Sequence, residues 1–381
     1  MPPPIVDVHT HMYPQEYIDL LTSRTTLPLI RTFPSSPLPR LILLESELPL
    51  LAAATANPHH TPLPGRPLSP HFTSLPAKLA FMARHSITTS LLSLANPWLD
   101  FLPASTAPSI AHTINTSFSA SCAAHPGKLY FLAALPLTAP LPDILTSITH
   151  AASLPHCRGV ILGTSGLAGG AGLDDPAILP VFQALAAAGL IAFLHPHYGL
   201  PDSVFGPRAA AGEYGHVMPL ALGFPVETTV AVTRMFMAGV FDAVPGLRVL
   251  LAHGGARRRF WRDGWRVVGG MMAFWWRGGG EGEGRLGRCC GGRFTWMLWF
   301  DGSTAVKAAV DLVGADRIMF GTDHPFFPPV GEGADTDGVW ESVAGNVRGV
   351  KEAFGETEEG EEGARAVMGG NAIKVFRLVG E

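Results

Sequence analysis

Eight short, largely apolar runs, most of them followed by a segment of helical spacing, limit what this chain can fold into. The runs lie at residues 6–11, 87–94, 129–135, 159–163, 190–194, 248–252, 294–301 and 317–320. Helical patterns fall between them at 75–85, 110–124, 142–152, 177–188, 227–243 and 305–313. Runs apolar throughout suit parallel strands covered on both faces, and alternation with helices gives βα units. Eight such units favour a closed (β/α)8 barrel of the TIM type, an α/β fold, over an open doubly wound sheet. No Gly-x-Gly-x-x-Gly follows the first run, which weakens a nucleotide-binding alternative.

In a barrel of this kind the chemistry gathers where strands end. The first run ends in Val8-His9-Thr10-His11, the fifth in Leu194-His195-Pro196-His197, the sixth in Ala252-His253-Gly254 and the eighth in Thr322-Asp323-His324-Pro325. Side chains alternate along a strand, so His9 and His11 share a face and can grip one cation. A lone histidine is as readily a structural residue, but four polar strand endings meeting at one rim point to a metal site. His9, His11, His195 and Asp323 form the expected ligand set, with donors suited to one Zn²⁺, and His253 completes a polar ring. His197 and His324 lie just past these positions and are expected at supporting or surface sites. His59 and His60 are expected in solvent, and His216, with Glu213 and Tyr214, is a weaker candidate for the mouth. The fourth run, Gly159-Val160-Ile161-Leu162-Gly163, has no lysine to be carboxylated between two ions, so a single metal is expected.

Residues 24–75 form an insertion after the first strand. It is too rich in leucine to be disordered and too rich in proline to hold a long regular element. With 381 residues and 47% hydrophobic content, the chain has enough material for one large barrel domain over residues 1–381. A net charge of -4 argues against nucleic acid or an anionic membrane as partner and leaves small molecules. Four cysteines with no Cys-x-x-Cys spacing, and an N-terminus with neither a basic region nor a long apolar core, lead us to expect a soluble, cytoplasmic protein.

Several stretches resemble the amidohydrolase superfamily, in its aminocarboxymuconate semialdehyde decarboxylase-like branch. They are Asp7-x-His9-x-His11, His195-Pro196, Leu251-Ala252-His253-Gly254-Gly255 and Gly321-Thr322-Asp323-x-Pro325-Phe326. Others, Leu63-Pro64-Gly65-Arg66-Pro67-Leu68, Ser93-Leu94-Ala95-Asn96-Pro97-Trp98 and His195-Pro196-His197-Tyr198-Gly199, resemble the fungal isoorotate (5-carboxyuracil) decarboxylases. The resemblance implies one Zn²⁺ on His9, His11, His195 and Asp323, and substrate contacts from Arg66, Asn96, His253 and Phe326. It further implies a metal-dependent carboxy-lyase in which Asp323 carries the proton, with His253 beside it, acting on a small carboxylate as a homo-oligomer. The same ligands would serve a hydrolase that opens a lactone or amide, and a damaged, merely ligand-binding barrel is a third reading.

Residues 257–293 break the pattern. They hold Arg257-Arg258-Arg259, four tryptophans, a glycine triplet and Cys289-Cys290, and no apolar face of helical period runs through them. Such composition is expected of a GC-rich segment read out of frame, so we expect a local frameshift there.

Overall fold

The computed structural model describes residues 3–57, 59, 62–167, 170, 172–197, 199–206, 217–255, 294–297, 302–329 and 338–378. After β1 (Ile5–His11) come three short strands, β2 (Leu29–Arg31), β3 (Arg40–Ile42) and β4 (Arg66–Pro67). The remaining strands are β5 (Ile87–Ser93), β6 (Leu129–Ala134), β7 (Cys157–Gly163), β8 (Ile191–His195), β9 (Val249–Leu251), β10 (Phe294–Met297) and β11 (Ile318–Met319). One eight-stranded sheet runs β1-β5-β6-β7-β8-β9-β10-β11, every neighbouring pair parallel. The sheet closes on itself: Val8 N donates to Phe320 O (3.1 Å), Asp323 N to His9 O (2.8 Å) and His11 N to His324 O (2.8 Å). The expected (β/α)8 barrel is therefore the fold.

Every residue of β6 and β8 is buried, as strands sandwiched between a barrel interior and a ring of helices must be. The helices face inward by spacing. Leu141–Ser153 starts with Pro142 and Asp143 in its first turn and buries Ile144, Ile148 and Ala151 at intervals of four and three. The helix expected over 227–243 is two helices, Phe224–Met237 and Val240–Ala243. Gly239 takes a left-handed conformation (φ 72°) between them, which ends the first run. The eighth strand is only Ile318–Met319, shorter than its apolar run, because the chain beyond Phe320 already turns towards the site.

The insertion folds as a second, three-stranded antiparallel sheet, β2-β3-β4, with the helix Leu48–Ala56 beside it. At the other end of the chain the C-terminal turns buttress the closure. Phe320 N donates to Val367 O (3.0 Å), and Asn371 Nδ2 donates to Ile318 O (2.8 Å). A Cβ on Gly369 would lie 2.2 Å from Pro4 O, so only glycine lets this turn lie against the approach to β1. Among the described residues no helix is long and apolar enough to cross a membrane. The anomalous segment 257–293 lies outside the described residues.

Candidate metal centre

β1 carries the first two ligands. His9 and His11, both fully buried, point the same way, with their Nε2 atoms 2.9 Å apart. Asp323 arrives at the closure with Oδ1 at 3.3 Å from each of those nitrogens. His195 is the last residue of β8 and is also buried. One ligand atom from each of the four lies within 4.8 Å of all the others. Donors about 2.1 Å from one ion sit about 3 to 3.4 Å from each other, which the His9, His11 and Asp323 atoms match, with His195 within 4.8 Å of them.

The protonation states fit as well. His195 Nδ1 donates to Pro196 O (2.9 Å), which leaves Nε2 a bare lone pair, buried and without a hydrogen-bond partner. The Ser93 hydroxyl donates to Thr10 O (3.2 Å) and so accepts from His11 Nδ1 (2.9 Å), which bares His11 Nε2 in the same way. Burial holds His9 and His195 well below the usual histidine range and lowers His11, keeping all three neutral as ligands must be. Burial alone would raise Asp323. His9, His11 and His253 together outweigh it and hold the carboxylate well below its ordinary value, hence ionised. Three imidazole nitrogens and one carboxylate oxygen make a divalent-metal site.

Asp323 and His253 both take left-handed backbone conformations (φ 55° each), which non-glycine residues adopt at a cost of about 1–3 kcal/mol. Such strain at two strand ends re-aims side chains into the barrel mouth. His253 Nε2 stands 3.6 Å from Asp323 Oδ2.

The mouth opens into a cavity that His11, His195, His253 and Asp323 line together with Arg66, Asn96 and Phe326. Thus all four residues expected to touch a substrate face the ligand cluster. Arg66 comes from β4 of the insertion, where Gly65 adopts φ 68° and a Cβ would meet Leu41 O at 2.4 Å. Its Nη2 donates to Tyr13 Oη (2.5 Å) and Asn96 O (3.1 Å), while the guanidinium lies 4.6 Å from the Phe326 ring centre. Its Nε is buried without a partner. Asn96 donates through Nδ2 to Pro196 O (3.1 Å), leaving Oδ1 buried and unsatisfied.

Other residues surround the ligand cluster, and of these His71, Lys78, Asp100 and Glu227 were not singled out from the sequence. Asp7 accepts from His9 N (3.2 Å), Thr322 N (3.1 Å) and Thr322 Oγ1 (2.7 Å), tying β1 to the residue before Asp323. His324, expected at a supporting or surface position, is fully buried against Lys78 and His71. A signal for Lys78 was present: the helix Leu75–Arg84 buries positions 78, 81 and 82, one face at helical spacing, and the first of them is a lysine. His197 is held between Asp100 and Glu227. His59 is exposed. His60, Glu213, Tyr214 and His216 lie outside the described residues. β7 carries no lysine, as the sequence shows.

Comparison with known proteins places this geometry. The crystal structure of IDCase from Metarhizium anisopliae in apo form is 53% identical, with a TM-score of 0.89, over 99% of this chain and 98% of that one. The 2-amino-3-carboxymuconate-6-semialdehyde decarboxylase of Dictyostelium discoideum is 28% identical over 231 residues, which are 58% of this chain and 53% of that protein's length. The gamma-resorcylate decarboxylase of Rhodococcus jostii is 27% identical over 271 residues, 65% of this chain and 76% of that one. The amidohydrolase family model matches residues 6–378, from the strand that opens the barrel to the turn that closes it, and the chain belongs to that family.

Proposed function

We propose that the protein is a metal-dependent, non-oxidative decarboxylase of a small ring carboxylate, with 5-carboxyuracil as its substrate and Zn²⁺ as its ion. The observation that carries this reading is one cavity lined both by His11, His195 and Asp323 of the ligand cluster and by Arg66 and Asn96, each of which keeps a buried polar atom without a partner, Arg66 Nε and Asn96 Oδ1. The 53% identity to IDCase, an isoorotate decarboxylase, over nearly the whole chain supports the pyrimidine over a phenolic acid.

A divalent ion in the cluster would supply Lewis acidity towards the carboxylate and the neighbouring ring carbonyl. The chain's own groups do the rest. Arg66 offers a fixed donor fork to a carboxylate or carbonyl oxygen, and Asn96 Oδ1 accepts from a ring N–H, which a pyrimidine has and a benzoate lacks. Phe326 offers a face for the ring to stack on. Direct loss of CO₂ would leave a vinylic carbanion with little delocalisation. The workable order protonates C5 first, with the N1 lone pair supporting the positive charge at C6. The C5–carboxylate bond then breaks, CO₂ leaves, and its electron pair restores the C5–C6 double bond. Asp323 is the proton carrier of this scheme, and because the histidines keep it ionised at rest it must collect the proton it delivers. His253, 3.6 Å away, is the neighbour placed to pass one on. The proposal includes a cytoplasmic location, in keeping with the buried, unbridged Cys122 and Cys157, and a homo-oligomeric state.

Incubation with 5-carboxyuracil should give uracil and CO₂ in equal amounts, and Asp323→Asn should slow the reaction about 10²–10⁴-fold, as loss of a general acid does. An untouched pyrimidine together with opened simple lactones would establish the hydrolase reading instead. A protein indifferent to both would fit the ligand-binding barrel.

A further inference from the structure

Lys78 is fully buried on the inward face of the helix Leu75–Arg84, where a lysine is almost never found unless its charge is met. Its Nζ touches three acceptors: Thr10 Oγ1, His324 Nδ1 at 2.5 Å and His324 O at 3.5 Å. Charged or neutral, the amine has N–H groups to donate to Thr10 Oγ1 and to His324. The rest of the network follows. The Thr10 hydroxyl donates to His324 O (3.1 Å), and the His324 ring joins Lys78 Nζ at Nδ1 to His71 Nδ1 at Nε2 (3.1 Å).

What matters is where these partners sit. Thr10 lies between His9 and His11, and His324 follows Asp323. The sheet closes there through a single bridge, Thr10 to His324, with a few flanking backbone bonds. One amino group therefore spans the two segments that bring three of the four donors from opposite ends of the chain. We propose that Lys78 is a positioning residue for the metal centre, pinning β1 to the Asp323–His324 turn so that the donors stand at cation-binding separation before an ion arrives. The proposal rests on the metal-dependent reading above. Groups that orient ligands from behind in this way change metal affinity about 10–100-fold when removed.

Lys78→Met keeps most of the stem and removes the donors. Thr10→Val keeps the shape and removes one acceptor. Wild type, both variants and the double variant are titrated as apoproteins with Co²⁺, followed by visible absorption, with the apoprotein Tm measured alongside. Each single variant should weaken the Co²⁺ dissociation constant about 10–100-fold and shift the absorption bands, and the double variant should be no weaker than Lys78→Met alone. If wild type binds Co²⁺ and the variants bind it with unchanged constant and spectrum, even at a lowered Tm, the positioning role is overturned and the decarboxylase reading stands. A wild type that takes up no Co²⁺ overturns both. If Lys78→Met does not fold, Thr10→Val decides between the same results.

Discussion

His197 shows how much a residue two positions beyond a ligand can carry. Its Nε2 pairs with Asp100 Oδ2 at 2.8 Å, and Nδ1 faces Ser165 Oγ (3.2 Å) and Glu227 Oε1 (3.7 Å). The ring packs on Trp98, which in turn touches the His195 ring. Burial works to lower its pKa, but Asp100 and Glu227 outweigh burial and raise it to about 9. A folded pKa above the unfolded one means that the stabilisation is fully present below about pH 6.5 and is lost as the pH rises through about 9. Its size is on the order of 3 kcal/mol. His197→Gln should accordingly be less stable than wild type at pH 6.5, with the gap closing by about pH 10. Denaturant melts of both proteins across that range check this, and a gap that stays constant with pH would show that packing on Trp98, not charge, is what His197 contributes.

At the scale of elements, the insertion is where sequence reading gave least. Proline and leucine density suggests order without a long regular element, and the strands there, of two or three residues, are too short to display a period. Arg66 stands on the shortest of them, so its place at the cavity followed from the family resemblance and not from local pattern. What holds that strand is Glu47, whose Oε2 accepts from Leu43 N (3.0 Å) and Leu44 N (2.9 Å) while Oε1 accepts from Gly65 N (2.8 Å). One carboxylate thus joins the helix side of the insertion to the residue before Arg66. Glu47→Ala should free the Gly65–Arg66 turn and raise KM for the carboxylate about tenfold with a smaller change in kcat, since uniform binding is what Arg66 would lose. Steady-state kinetics on the variant test it; an unchanged KM would mean that the Tyr13 and Asn96 contacts hold Arg66 by themselves.

Across the whole molecule, the barrel and its ligands were legible because both depend on short-range signals: apolar runs of strand length and a polar residue at the end of each. The closure was not legible. It depends on residues such as Asp7, Lys78 and Asn371, whose partners lie 53 to 315 positions away, so local pattern does not say what each of them meets. Yet closure is where three of the four metal donors come together, so ion binding and global stability should be coupled. An ion that binds only the folded barrel at one hundred times its dissociation constant adds about 2.7 kcal/mol, which for a chain of this length raises Tm by roughly 3 °C. The increase should appear when Zn²⁺ is restored to chelator-treated wild type. It should vanish in His11→Ala and in Asp323→Ala, because each deletes a donor from one side of the closure. Calorimetry on the three proteins reads this directly: an equal rise in all of them would place the ion elsewhere, and no rise in wild type would mean that the folded barrel does not bind the ion in preference to the unfolded chain.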